Sequence, residues 1–167
     1  MLVLSLSCLA SPLGPILCLV DADGALVALE FADLEARMAR LLARQWGETE
    51  IREGEAPLPL ARALEAYWAR DFAPLAACPV RHGGTAFQKA AWAALRAIPA
   101  GQTRSYGAQA AAIGKPAAVR AIGLANGANP IGIATPCHRV IGASGALTGY
   151  GGGVERKAWL LRHEGAL

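Results

Sequence analysis

The chain has 167 residues, 54% hydrophobic and 17% charged, a balance that excludes intrinsic disorder and is long enough to bury a core. Its 19 glycines and 10 prolines follow no Gly-X-Y period, which excludes a collagen-like fibre. The net charge of +3 hides an asymmetry: residues 1–80 hold 6 Lys/Arg against 11 Asp/Glu, residues 81–167 hold 10 against 2, and no acid lies between Asp71 and Glu155. Two lobes are expected, 1–80 acidic and 81–167 basic, the second suited to a polyanion such as nucleic acid or simply carrying a solvated basic face.

The first twenty residues carry no charge, and Pro12, Gly14 and Pro15 interrupt them. A signal peptide needs a basic start, and a membrane helix needs about twenty unbroken apolar residues. Neither is expected; the reading is a cytoplasmic protein with no membrane partner. A three-stranded meander fits instead, Leu2–Leu9, Pro15–Val20 and Ala25–Phe31, with Gly24 free to take a positive φ in the second turn. Asp33 is the expected N-cap of a helix to Trp46, whose apolar stripe is Leu34, Met38, Leu41 and Leu42. A polar loop over residues 48–55 follows, then a second helix, Pro57–Phe72, with Leu60, Leu64 and Trp68 on one face. Tyr67, Trp68 and Phe72 read as core. Cys8, Cys18, Cys78 and His82 are zinc-type ligands, but their spacing specifies no site, so no metal is assigned and the question stays open.

The basic lobe opens near His82-Gly83-Gly84. Thr85 is placed to cap a helix to Ile98 whose apolar face includes Ala90, Trp92, Ala93 and Leu95. Ser105 caps a short helix, Tyr106–Ile113, and Lys115-Pro116 opens another from Ala117 to Asn126. Two short helices about a glycine turn read as a helix-turn-helix or as two packed core helices. In the second, Ala117, Ala118, Ala121, Gly123 and Ala125 are small and Arg120 is the lone charge. Small residues allow close approach to a partner surface, and a lone arginine there suits insertion into a groove or base stack. Tight helix packing would explain the alanines but not Arg120.

Chemistry is concentrated at Pro136-Cys137-His138-Arg139-Val140, where neighbouring positive charge favours a thiolate. Adjacent residues on an extended strand point apart, so His138 reaches Cys137 only through a turn or a bridging water. A base needs an orienting partner, and Glu164, one of only two acids in this half, is the candidate.

These five residues resemble the active-site signature of the O6-methylguanine-DNA methyltransferases, also called methylated-DNA–protein-cysteine methyltransferases. Further matches are Arg104-Ser105-Tyr106, the run 115–121, Asn129-Pro130, Ser144-Gly145 through Gly152, and the terminal Leu-Leu-Arg-His-Glu-Gly. The resemblance is dense over residues 83–165 and extends weakly to the Ser11-Pro12-Leu13-Gly14 turn. It implies a stand-alone α+β protein: a small α/β amino-terminal lobe with antiparallel strands, and a mostly helical carboxy-terminal domain with a winged-helix-like helix-turn-helix. It also implies irreversible, once-only transfer of an alkyl group from O6-alkylguanine in double-stranded DNA to Cys137, with base flipping and minor-groove docking.

By the same resemblance His138, through a water and oriented by Glu164, takes the thiol proton, while Tyr106 serves a guanine ring nitrogen and helps rotate the nucleotide. Arg120 fills the gap left by the base, with Ala117, Ala118, Ala121 and Ser105 also on the DNA side. Asn129, Pro136, Val140, Tyr150 and Gly151 belong to the base pocket and active-site loop; serine is frequent in the family where Gly151 stands, and an apolar residue where Thr135 stands. No cofactor is implied, and the protein is expected to act as a monomer, with cooperative assembly on DNA and O4-alkylthymine as a further substrate left open. A cysteine hydrolase would instead turn over with Cys137 unmodified, and a pure DNA-binding module would be indifferent to loss of Cys137.

Overall fold

Residues Leu2–Leu9 (β1), Ile16–Val20 (β2) and Leu26–Phe31 (β3) pair as antiparallel neighbours, in the register Ser5↔Val20 and Ile16↔Phe31. In this computed structural model, which describes all 167 residues, the architecture is α+β. Gly14 and Gly24 both take positive φ, 95° and 80°, at the two turns of the meander. The chain divides into two units: Met1–Gly84 with Pro130–Ala134, and Thr85–Asn129 with Thr135–Leu167. The return of residues 130–134 to the first unit is a feature the sequence reading does not contain.

The expected loop at 48–55 is corrected. Thr49–Glu53 (β4) is a strand parallel to β1, so the sheet has four strands in the order β3-β2-β1-β4. β4 lies at a sheet edge and four of its five residues are exposed, so its pairing rests on backbone hydrogen bonds rather than on an apolar face. At the opposite edge, β3 is covered by two short bridges. The Leu26 amide donates to Pro79 O at 2.9 Å and its carbonyl accepts from Arg81 at 2.9 Å; the Leu29 amide donates to Pro130 O at 3.0 Å and its carbonyl accepts from Gly132 at 2.9 Å. Such cover keeps an edge from recruiting another strand.

Helix Glu35–Trp46 (α1) buries Met38, Leu41 and Leu42, and Met38 and Leu42 pack with Leu4, Leu17, Leu19, Val27 and Ala28 of the sheet. Asp33 does not cap it: residues 32–34 form a 3-10 turn, and the N-cap is Leu34 without a side-chain bond. The second helix ends at Trp68 rather than Phe72 (α2, Leu58–Trp68), because Arg70 turns to φ 68° before the short Ala73–Ala77 (α3). Tyr67 is buried and Trp68 only partly so. Cys8 and Cys18 sit on paired strands out of register, facing Leu17 and Ser7. Burial pushes the Cys18 thiol up to about 12, with Cys8 adding to the rise. No three His, Cys, Asp or Glu side chains are grouped to hold a metal ion, and no helix is long and apolar enough to cross a membrane.

In the second unit Thr85 caps Ala86–Arg96 (α4) through a capping box with Gln88. Its buried face is Ala91, Trp92 and Leu95; Ala90 and Ala93 are exposed, a correction to the expected stripe. Ser105 caps Tyr106–Ala112 (α5), accepting from Ala108 at 3.0 Å. The next helix begins at Val119 (α6, Val119–Gly127), two residues later than expected, because residues 116–117 form a turn first. Gln109 of α5 and Asn126 of α6 exchange two buried amide hydrogen bonds, 2.9 and 2.8 Å, and Trp92 donates to Ala125 O at 2.9 Å. These bonds lock the helix-turn-helix pair, since each buried amide would otherwise be unsatisfied. Arg104–Ser105 (β5) and Val140–Ile141 (β6) form a short parallel pair, and Val154–His163 (α7) ends the unit.

Candidate active site

Cys137 opens a 3-10 turn, Cys137–Arg139, entered through a constrained backbone. Ile133 sits at φ 64° while Ala134 donates to Gly132 O at 2.6 Å, and Pro136 follows at φ −83°, ψ 69° while Cys137 donates to Thr135 O at 2.9 Å. Both are three-residue γ-turns, and the first holds a β-branched side chain in the left-handed region, which stores strain of about 1–3 kcal/mol. Asn129 spans the loop: its Nδ2 donates to Thr135 O at 2.8 Å and to Cys137 Sγ at 3.4 Å. Thr135 and Pro136 are buried beneath.

The turn sends the neighbouring side chains inward. His138 is wholly buried, its Nε2 at 2.9 Å from Glu164 Oε2. Arg139 grips the same carboxylate with two bonds, 2.8 and 2.7 Å, and donates to Ile98 O at 2.7 Å. Glu164 is the residue just past α7 rather than within it. Beside it Gly101 takes φ 87°, which strains any side chain, and an added Cβ would lie 3.2 Å from Glu164 O, a tight contact.

Burial alone would raise the Glu164 carboxyl, but the Arg139 and His138 hydrogen bonds hold it well below the usual carboxylate range. Burial pushes His138 down, against the Glu164 bond that raises it. A neutral imidazole beside an ionised carboxylate must place its proton on Nε2 to make that bond. The lone pair is then on Nδ1, which is buried and makes no hydrogen bond to another protein group. The arrangement is a fixed, neutral base adjacent in sequence to a thiol.

Both shifts give the same sign of pH dependence. Below pH 6.5 the unfolded chain protonates its histidine while folded His138 resists, and below about 4.5 the same holds for Glu164. Stability is therefore expected to fall with pH through both windows. Urea midpoints at pH 7.5, 5.5 and 4.0 check it; a midpoint that rises from 7.5 to 5.5 contradicts it.

Cys137 faces a cavity of about 340 Å³ with Tyr106, Tyr150 and Gly151, within the range of small-molecule sites. Gly123, Asn126, Gly127, Thr148 and Gly149 complete the lining and were missed in the sequence. Tyr106 donates its hydroxyl to Thr148 O at 3.1 Å, and the Tyr150 ring meets His138 edge-on at 6.4 Å. Val140 is buried outside the cavity, and its carbonyl accepts from Lys157 at 2.6 Å. On the helix-turn-helix, Ala117, Arg120 and Ala121 are exposed and Ala118 is half-buried. The Ser105 hydroxyl is engaged as a cap.

Arg139, read in the sequence as a positive charge beside the thiol, is instead paired with Glu164, and Lys157 is the second basic residue here, one the sequence reading missed. The face spacing Lys157, Leu160, Leu161, Glu164 would have found the second, because it puts a lysine in line with two core leucines.

Residues 86–166 match the family model for the 6-O-methylguanine DNA methyltransferase DNA-binding domain. The chain is 48% identical over 161 residues to the methylated-DNA–protein-cysteine methyltransferase of Salmonella typhimurium, covering 95% of this chain and 94% of that protein. It is 44% identical over 157 residues to the protein of the same name from Methanosarcina acetivorans, covering 93% and 95%. The crystal structure of Mycobacterium tuberculosis OGT in complex with DNA superposes with a TM-score of 0.78 at 40% identity, covering 96% of this chain and 92% of that one. The chain belongs to the methylated-DNA–protein-cysteine methyltransferase family.

Proposed function

We propose that the protein repairs DNA by moving the alkyl group of O6-alkylguanine, in duplex DNA, onto Cys137. The observation that carries this reading is the setting of Cys137: it lines the cavity while His138, next in the chain, is clamped to Glu164 at 2.9 Å. His138 Nδ1 takes the thiol proton through a water. The thiolate attacks the alkyl carbon, an S–C bond forms as the C–O bond breaks, and the electron pair leaves on guanine. Tyr106 turns its hydroxyl from Thr148 O to the base and gives the leaving ring its proton. The proton taken up at His138 restores it through water, and unmodified guanine is released.

The O6 atom is buried in a duplex, so the nucleotide must rotate out into the cavity, at a cost of a few kcal/mol. Exposed Arg120 on α6, among small residues that let the helix approach closely, fills the space the base leaves. The basic second half supplies phosphate affinity independent of sequence. The product is a thioether, which water does not cleave, so each monomer acts once, in the cytoplasm. The Gly151 backbone is placed at the cavity wall, where an amide serves the base without a side chain.

The test is the intact mass of the protein after mixing with an excess of O6-methylguanine duplex. One added methyl group per chain, mapped to Cys137, is expected. An unchanged mass with reduced thiol and intact lesion would overturn the reading.

A further inference from the structure

Gln109 on α5 and Asn126 on α6 are both buried, and the chemistry above gives neither a task. The helices α4, α5 and α6 otherwise pack through small and apolar side chains, among them Ala91, Ala110, Ile122 and Ala125. Holding helices together does not call for two amides. Two apolar side chains of similar volume would fill the same space without the cost of desolvating polar groups.

The two amides are not used alike. A primary amide offers two hydrogens and two lone pairs. Gln109 Nε2 spends both its hydrogens, on Asn126 Oδ1 at 2.9 Å and on Ala91 O at 3.1 Å, and Gln109 Oε1 accepts from Asn126 Nδ2 at 2.8 Å. Asn126 spends one hydrogen and one lone pair, both on Gln109. Its second Nδ2 hydrogen has no partner in the protein. Asn126 also lines the cavity with Cys137 and Tyr106, whereas Gln109 does not. A buried donor left over at a cavity wall is available to whatever fills the cavity, and a few fixed polar groups of this kind orient a ligand in an apolar site.

We propose that Asn126 is a further substrate-binding residue, its spare N–H donating to an acceptor atom of the extruded base, and that Gln109 is the positioning residue that holds the amide in that orientation. Nucleobase edges carry ring-nitrogen and oxygen acceptors, and an apolar wall would leave the one facing it unpaired. With Gln109 in place the Asn126 amide cannot turn without breaking two hydrogen bonds, so the donor is set before the base arrives. Neither residue makes or breaks a covalent bond.

The proposal rests on the base occupying this cavity during transfer to Cys137. Methylation of Cys137 in the wild type tests that reading by itself; the variants test this one. Gln109→Leu, Asn126→Leu and the two combined are compared in urea midpoint, in Cys137 alkylation by iodoacetamide, and in methyl transfer from O6-methylguanine duplex. Each single variant strands a buried amide and is expected to lower the midpoint, which the pair of leucines is expected to recover. Transfer is not expected to recover. In the double variant it stays about tenfold below the wild type, in line with one lost hydrogen bond to the base, while iodoacetamide reactivity is unchanged. A double variant that folds like the wild type and transfers at the wild-type rate overturns the proposal. Should it not fold, Cys137→Ser decides, because it keeps both amides. Its Asn126 Nδ2 proton resonances are expected to differ between complexes with O6-methylguanine duplex and with undamaged duplex of the same sequence. Identical resonances in the two complexes overturn the proposal.

Discussion

Cys137→Ser is expected to bind O6-methylguanine duplex within a few-fold of the wild type and to transfer nothing detectable, a loss of more than about a thousand-fold in rate. The substitution leaves the site's geometry in place, because Asn129 Nδ2 can donate to a hydroxyl as well as to Sγ. What it removes is acidity and nucleophilicity. A neutral histidine such as His138 can take a thiol proton, but a serine hydroxyl holds its proton many units more firmly, and no oxyanion forms at an alkyl carbon to help it leave. Single-turnover transfer and duplex affinity, measured on the same preparation, check the prediction. Weakened binding in step with lost transfer would mean that Cys137 serves the DNA interface instead.

The largest effect on folding is expected at Arg139→Met. Arg139 supplies two of the three side-chain bonds to a carboxylate that has no access to solvent, and it also satisfies Ile98 O. Removing one partner of a buried pair leaves the other charge uncompensated, at about 3–5 kcal/mol. Burial would then raise the Glu164 carboxyl, and on its protonation the His138 Nε2 proton would lose its ionised acceptor. Urea unfolding should therefore show the loss at pH 7.5 and a smaller one at pH 4.5, where the orphaned carboxyl is already neutral. A loss under about 1 kcal/mol would place the worth of the pair elsewhere. Arg139→Met and Glu164→Gln combined should cost less than the sum of the two, since each removes the same partnership.

Much of this was legible in the sequence, and the failures have physical causes. Turns are legible through Gly14 and Gly24, and the cap through Thr85, because those signals are local; the Gln88 half of the capping box appears only in the structure. The strand Thr49–Glu53 was not legible. An edge strand exposed on both faces has no apolar alternation to show, and its pairing with Leu2–Leu6 lies in the backbone. Ala90 and Ala93 misled for the opposite reason: alanine is indifferent to exposure, so a stripe of alanines does not mark a buried face. At the site, Cys137, His138 and Glu164 stand out in the sequence because few residue types can do such chemistry, and the structure joins His138 to Glu164 and puts Cys137 at the cavity. The cavity wall of Gly123, Gly127 and Gly149 was invisible, since those positions contribute room and backbone rather than reactive groups.

The stretch from Asn129 to Cys137 has a further consequence. Asn129 bonds both Thr135 O and Cys137 Sγ, two γ-turns use up the backbone between, and Leu29 holds residues 130 and 132. Every span in it is measured from a fixed point, so it has no slack. A single inserted or deleted residue would shift the sulfur by a whole peptide unit, beyond anything side-chain motion could recover, whereas Ile133 or Thr135 can be exchanged for another buried residue of similar volume. Between Asn129 and Cys137 the geometry therefore constrains the number of residues more tightly than the identity of those buried in between.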